Sequence, residues 1–295
     1  MSVNFGSFSI SELYVGSDKI KEAYVGSDLV YQSTIQLPVK TFRFRFSNVS
    51  FNPSTTLASE NLTWTVVNSS SGIWDATSIQ TGDTPYRSLF STLLSSTNMG
   101  SVTCSLIAAN TTGMTSAYEL FRGCNALTTV CNMDFSSCTN IVYLFYNCTS
   151  LLSVPLLDFH AVTNAGNSFT GCSSLTSVPN FVFTSLQQAN YMFAGCLLIT
   201  QFPDWQLNNL ITANYMFQRC SSLTKVPNLG QLPNIQGVQY MFQNCALVES
   251  GALAMYNILS TRITASTRYT ACFRNCGAST TTGASELAQI PSGWK

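Results

Sequence analysis

Phe169-Thr170-Gly171-Cys172-Ser173-Ser174-Leu175-Thr176-Ser177-Val178-Pro179 is one copy of a phrase that returns every 24 residues through the middle of the chain. Its phenylalanine and cysteine recur as Phe121…Cys124, Phe145…Cys148, Phe193…Cys196 and Phe217…Cys220, then at wider spacing as Phe242…Cys245 and Phe273…Cys276. An aliphatic residue follows three places after the cysteine: Leu127, Leu151, Leu175, Ile199, Leu223, Val248. A further apolar residue then precedes proline in Val154-Pro155, Val178-Pro179, Phe202-Pro203 and Val226-Pro227. A fixed period of about 20–30 residues marks a solenoid, one coil per repeat. Met192-Phe193-Ala194-Gly195-Cys196 reads as a compact turn or short helix. Short parallel strands are expected near 151–155, 175–179, 199–203 and 223–227, each ended by a proline that has no N–H to give a ladder. The fold class is mainly β with short helical turns: a solenoid of 24-residue coils behind a small N-terminal β-rich region.

Composition narrows the function classes. Apolar content is 45%, but only 9% of residues are charged, against about 25% in an ordinary globular chain. Between Cys124 and Cys245 the charged residues are Asp134, Asp158, Asp204, Arg219 and Lys225. Ser, Thr, Asn and Gln must therefore cover the array. Net charge is zero, so no basic face for nucleic acid is expected. No run approaches ~18 consecutive apolar residues, so no membrane insertion is expected. The start, Met1-Ser2-Val3-Asn4-Phe5-Gly6, lacks the basic and apolar regions of a secretory signal.

Eleven cysteines are an odd number, and synthesis in a reducing compartment leaves thiols free. Equivalent residues on adjacent coils sit about 4.8 Å apart, so distance alone permits a disulfide ladder. A metal site is the third reading. No Cys-x-x-Cys pair occurs and His160 is the single histidine, so the pattern favours small buried thiols.

Outside the array, Leu13-Tyr14-Val15-Gly16-Ser17-Asp18 recurs as Ala23-Tyr24-Val25-Gly26-Ser27-Asp28. This predicts a small β-meander with strands near 10–15, 20–25 and 29–35 and Gly-Ser-Asp turns. Too short to stand alone, it must pack on the next domain or on other chains, and an edge-rich sheet favours other chains. Pro38 marks a joint. Thr41-Phe42-Arg43-Phe44-Arg45-Phe46 alternates aromatic and basic residues, as a half-buried strand does. Its Arg43 and Arg45 read as a solvated strand face in preference to a polyanion strip. Further strands are expected at 62–67 and 102–107, a turn at 68–72 and a short helix over Tyr86–Leu94. The organisation is thus residues 1–37, an attachment or oligomerisation meander; 38–118, a small β-rich domain; 119–248, the solenoid; and 249–295, a cap with a helix near 249–262 and Ile290–Trp294 closing the end.

The phrase Met-Phe-x-x-Cys-x-x-Leu-Thr-x-Val-Pro resembles the BspA-like class of leucine-rich-repeat surface proteins over about residues 105–250. Cys172–Pro179 matches it closely, and Asn132–Asn140 is similar to that family's Asp-x-Ser-x-x-Thr-Asn linker. The resemblance implies a curved leucine-rich-repeat-type solenoid used for adhesion, with no enzymatic activity. One departure is the third sheet position, usually aliphatic, which holds Asn132, Asn180, Asp204 and Asn228, with Leu156 alone apolar. The Tyr-Val-Gly-Ser-Asp tandem is similar to a segment near the start of structural proteins of tailed bacteriophages and prophages of gut bacteria.

Little catalytic chemistry is legible. His160 sits between Phe159 and Ala161 in a loop, without a partner pattern. Asp134, Asp158 and Asp204 spread over four coils and read as solvated rather than as a cation site. No cofactor, metal or enzymatic role is expected. The candidate recognition face is the exposed sheet strip Thr128, Thr129, Ser153, Thr176, Ser177, Thr200, Gln201, Thr224 and Lys225, with Leu152 beside it. A surface-adhesin repeat without a secretory signal predicts a virion structural protein: a head or tail fibre or decoration protein assembled in the host cytoplasm. Its expected partners are other virion proteins, further copies of itself (a trimer through the N-terminal segment) and a host surface glycan or protein. The alternative is a bacterial cell-surface adhesin.

Overall fold

The computed structural model describes residues 13–15, 18–20, 22–25, 28–32, 40–59, 62–78 and 88–295. The chain divides into two compact units, Met1–Pro38 and Val39–Lys295. In the first, β1 (Leu13–Val15) pairs antiparallel with β2 (Asp18–Ile20), and β3 (Glu22–Val25) with β4 (Asp28–Gln32). Two separate two-stranded hairpins thus replace the expected three-stranded meander. Val15 opposes Asp18 and Val25 opposes Asp28, so each Tyr-Val run folds back on the residues just after its own Gly-Ser pair. The Gly-Ser pairs, Pro38 and the expected strand ends at 10–12 and 33–35 lie outside the described residues.

The second unit is mainly non-helical. It carries a five-stranded sheet of β5 (Thr41–Phe46), β6 (Leu62–Asn68), β7 (Ile73–Ser78), β8 (Cys104–Asn110) and β9 (Leu127–Thr129), in the order β6-β7-β5-β8-β9. The helices are short: α1 (Pro53–Thr56), α2 (Ser96–Met99), α3 (Ala252–Ser260) and α4 (Thr281–Gln289). Gly72, at φ 62°, closes the β6–β7 turn, and a Cβ there would lie 2.9 Å from the Phe46 carbonyl oxygen. β5 is the central strand, with antiparallel neighbours on both sides. Arg43 is consequently not solvated: it is buried and faces Asp75 across the sheet, its Nε 2.8 Å from Oδ1 and its Nη2 3.1 Å from Oδ2. Arg45 is only partly buried. The remaining Phe42, Phe44 and Phe46 build the core, with Phe42 and Phe44 edge-on to Phe90 at 5.0 and 5.1 Å.

Phe90 begins a stack of eight phenylalanines: Phe90, Phe121, Phe145, Phe169, Phe193, Phe217, Phe242 and Phe273, with successive centroids 5.2–6.0 Å apart. The first copy lacks a cysteine and stands 31 residues before the second. Its segment is not the helix expected over Tyr86–Leu94. Tyr86 and Arg87 lie outside the described residues, and residues 88–93 form turns. Ser88 and Thr92 take positive φ, and the Ser88 and Phe90 N–H groups donate forward to the Tyr118 and Leu120 carbonyls. These donors cannot also serve a helix.

The same ladder repeats at each step. Ile141, Tyr143, Phe145 and Asn147 donate their N–H groups to the carbonyls of Asn164, Gly166, Ser168 and Thr170, at 2.7–3.0 Å. Residues 165–171, 189–195 and 213–219 do likewise, one copy onward. Alternate peptides close i→i+3 turns instead, as from Cys148 N to Phe145 O. Parallel bridges follow in one line: Ser116–Asn140, Asn140–Asn164, Asn164–Gln188, Gln188–Thr212 and Thr212–Gly237. The main inter-repeat ladder therefore runs through the Phe-x-x-Cys phrase and the residues before it. The strands expected at 151–155, 175–179, 199–203 and 223–227 do not form. Only isolated bridges occur there, Thr129–Ser153 and Lys225–Ser250, beyond the three-residue β9. Proline at 155, 179, 203 and 227 removes a ladder donor in each case.

One continuous hydrophobic cluster runs from β5 to the C-terminus. At the far end Trp294 stacks on Tyr269 at 4.1 Å, and its carbonyl accepts from Phe273 N–H at 2.7 Å. No helix among the described residues is long and apolar enough to cross a membrane.

Candidate recognition surface

All eleven thiols are free and ten are buried, Cys131 being half-buried. The repeated cysteine does more than fill space. Cys124, Cys148, Cys172, Cys196, Cys220 and Cys245 donate their thiols to the carbonyls of Phe90, Phe121, Phe145, Phe169, Phe193 and Phe217, one copy back, at 2.9–3.3 Å. Each such carbonyl from Phe121 onward also accepts the N–H of the cysteine three residues later. The thiol supplies the second bond to a buried oxygen that would otherwise hold one. Burial pushes these thiols up, Cys124 to about 12. They remain protonated donors and poor nucleophiles. Among the described residues no cluster of His, Cys, Asp or Glu could hold a metal ion.

Asp134, Asp158 and Asp204 each use Oδ1 in a hydrogen bond within the chain. Asp134 Oδ1 accepts from Ser136 N and Oγ, and Asp204 Oδ1 from Asn228 N at 2.8 Å. Asp158 Oδ1 lies 2.8 Å from His160 Nδ1 on the exposed surface, a hydrogen bond that holds its carboxyl below the ordinary value.

Ser153, Thr176, Ser177, Thr200, Gln201 and Lys225 are exposed; Thr128, Thr129 and Thr224 are partly so. At one end Thr128 O accepts from Leu152 N, and Thr129 bridges Ser153. At the other, Thr200 O accepts from Thr224 N, and Thr224 O from Glu249 N. The Thr128 and Thr224 hydroxyls donate to the Cys104 and Thr200 carbonyls, so they are not free donors. Ser153, Thr176, Ser177 and Gln201 make no side-chain hydrogen bond among the described residues. Leu152 is 51% exposed beside them.

A second periodic surface follows the main ladder. Positive φ recurs at Glu119, Tyr143, Asn167, Tyr191, Tyr215 and Tyr240, and again four residues later at Gly123, Asn147, Gly171, Gly195, Arg219 and Asn244. A bulky side chain in this conformation costs about 1–2 kcal/mol, yet three tyrosines hold it in succession. They stack face to face, Tyr191–Tyr215 at 4.3 Å and Tyr215–Tyr240 at 4.8 Å. Arg122 sits over the Tyr143 and Tyr146 rings at 5.8 and 5.7 Å. Sequence reasoning missed this surface, although Asn190-Tyr191-Met192-Phe193, Asn214-Tyr215-Met216-Phe217 and Gln239-Tyr240-Met241-Phe242 recur in register.

A family model described as "Mycoplasma protein of unknown function, DUF285" matches residues 63–178, 87–203, 112–228 and 157–256, overlapping segments that span about two thirds of the chain. The chain belongs to the DUF285 family. The first DUF285 match begins inside β6, so the family pattern takes in the cysteine-free copy at Phe90. The matches fit the resemblance to BspA-like repeat surface proteins. No curated protein and no solved structure matches the chain.

Proposed function

We propose that this DUF285 chain is a non-enzymatic virion structural protein, a fibre or decoration protein of a tailed bacteriophage, whose repeats form a leucine-rich-repeat-type solenoid displayed for adhesion to the host cell. The observation that carries the adhesion reading is the inter-repeat ladder itself. It fixes a row of mostly half-buried hydroxyls and amides, Ser116, Asn140, Asn164, Gln188 and Thr212, at one register over successive copies, with almost no charge between them. Such a surface suits a repetitive polar ligand more than a charged one. The virion reading is supported by the tandem Tyr-Val-Gly-Ser-Asp motif, similar to a segment of phage structural proteins. Residues 1–37 would join copies, as a trimer, or dock on other virion proteins. Two short hairpins cannot bury a core alone, which is the physical ground for giving them a partner.

The test is adsorption. Labelled full-length protein is incubated with a panel of bacterial strains, and its mass in solution is read by mass photometry. Saturable binding to some strains by an oligomer supports the reading; a monomer that adsorbs to none contradicts it. A second reading, a bacterial cell-surface adhesin, is favoured by the family description, which names proteins of a cellular organism.

A further inference from the structure

Two adjoining hollows on the second half of the array share Gln236. The larger, about 420 Å³, also takes Gln187, Asn209, Asn234, Ile211 and Pro233. The smaller, about 180 Å³, adds Thr212, Asn214, Gln239 and Arg268. We infer that this groove is a binding site for a neutral oligosaccharide, an inference that rests on the adhesion reading above and gives it a location and a ligand class.

Three features converge on that chemistry. First, the amides are held by one atom and leave the other available. Asn214 Oδ1 accepts from Gln239 N at 2.8 Å, and Gln236 Oε1 from Arg268 at 3.3 Å, leaving an NH2 group on each. Asn209 and Asn234 donate to the Thr184 and Asn208 carbonyls, which leaves their amide oxygens as acceptors. Donors and acceptors fixed side by side match sugar hydroxyls, each of which both donates and accepts. Second, the Thr212 hydroxyl oxygen is buried in the smaller hollow without a hydrogen-bond partner among the described residues. A buried hydroxyl of this kind calls for a partner, which an ordered water or a sugar hydroxyl entering the hollow would supply. Third, Ile211 and Pro233 give the groove apolar ground for the C–H face of a sugar ring. Arg268 is the one charged residue among the lining, and its Nη1 is turned to Gln236. The groove therefore offers no cluster of cations to hold a phosphate or sulfate.

Gln187 and Gln236 are exposed, and the Gln187 side chain bonds nothing among the described residues, so the double variant Gln187→Ala/Gln236→Ala removes ligand contacts with little effect on folding. Wild type and variant are compared for adsorption to strains that bind wild type, before and after the cells are treated with periodate, which opens vicinal diols of sugars. They are also compared on an array of neutral, sialylated and sulfated oligosaccharides. The expected result is adsorption abolished by periodate, signal on neutral oligosaccharides, and at least roughly tenfold weaker binding by the variant at an unchanged melting temperature. Protease treatment of the same cells then separates a glycoprotein from a free polysaccharide, the glycan being the ligand in both cases. Adsorption that survives periodate, signal confined to acidic sugars, or a variant that binds as wild type overturns the groove. So does loss of binding in Thr176→Ala/Ser177→Ala with the groove variant unaffected, an outcome that leaves the adhesion reading standing. Failure of wild type to adsorb to any strain refutes the adhesion reading itself.

Discussion

The Cys148 thiol donates to the Phe121 carbonyl oxygen, 3.0 Å away in the preceding copy. It couples the two periodic elements of the chain, the cysteine row and the phenylalanine stack. Replacing Cys148 with Ala removes both packing and donor, and is expected to cost about 1–2 kcal/mol in chemical denaturation. Val fills the volume but cannot donate. If Cys148→Val is as stable as wild type, the hydrogen bond contributes nothing and the cysteine is packing alone.

The thiols set a pH dependence. Burial raises Cys124 and Cys131 to about 12 and Cys138 to about 11, from an ordinary 9.0. The unfolded chain therefore releases these protons first as pH rises, and the stability they contribute is full below about pH 9 and lost above it. The melting temperature is expected to stay flat from about pH 6 to 8 and to fall progressively beyond about pH 9. A thiol reagent should count eleven thiols after denaturation without reductant, with half-buried Cys131 first to react in the native state. Fewer than eleven would mean disulfides.

Tyr215 holds φ 61° while stacked on Tyr191 and Tyr240. Tyr215→Ala loses the stacking and keeps the strained backbone. Tyr215→Gly loses the stacking but relieves the strain, so Gly should be milder than Ala by about 1 kcal/mol. Calorimetry that ranks Ala above Gly would contradict the left-handed assignment.

Arg43 and Asp75 form a two-bonded pair inside the sheet. Asp75→Ala removes the carboxylate that the Nε and Nη2 of the buried guanidinium both bond, and should cost about 3–5 kcal/mol. Arg43→Met with Asp75→Leu should recover most of that loss. A single variant as stable as wild type would show that the Arg43–Asp75 pair contributes no net stability.

The 24-residue phrase makes the repeat legible because every copy of Phe145, Cys148, Leu151 and Val154 solves the same burial problem. The hydrogen-bond ladder was not legible there. Strand propensity points to Leu-Thr-x-Val-Pro, whereas the pairing runs through Ile141–Asn147, whose alternating turns have no period-2 pattern. Its signal is the recurrence of Gly or Asn at 123, 147, 171, 195 and 244, residues that accept positive φ. Phe90 was hidden because its copy lacks cysteine and stands at a 31-residue spacing. Arg43 misled because alternation in sequence reveals a polar position, not that an acid lies opposite it. The strip at Thr128–Lys225 was legible as exposed positions. The groove around Gln236 was not, since it is formed by residues from copies brought together only by the stack.

The claim that the repeats are carried outward on a phage particle is tested most directly by immunogold electron microscopy. Antibodies raised against residues 119–248 are applied to purified intact particles and to uninfected cells. The account predicts gold on the particles, at a fixed head or tail position, and none on the cells. Label confined to the envelope of uninfected cells would contradict it and establish the cell-surface adhesin instead.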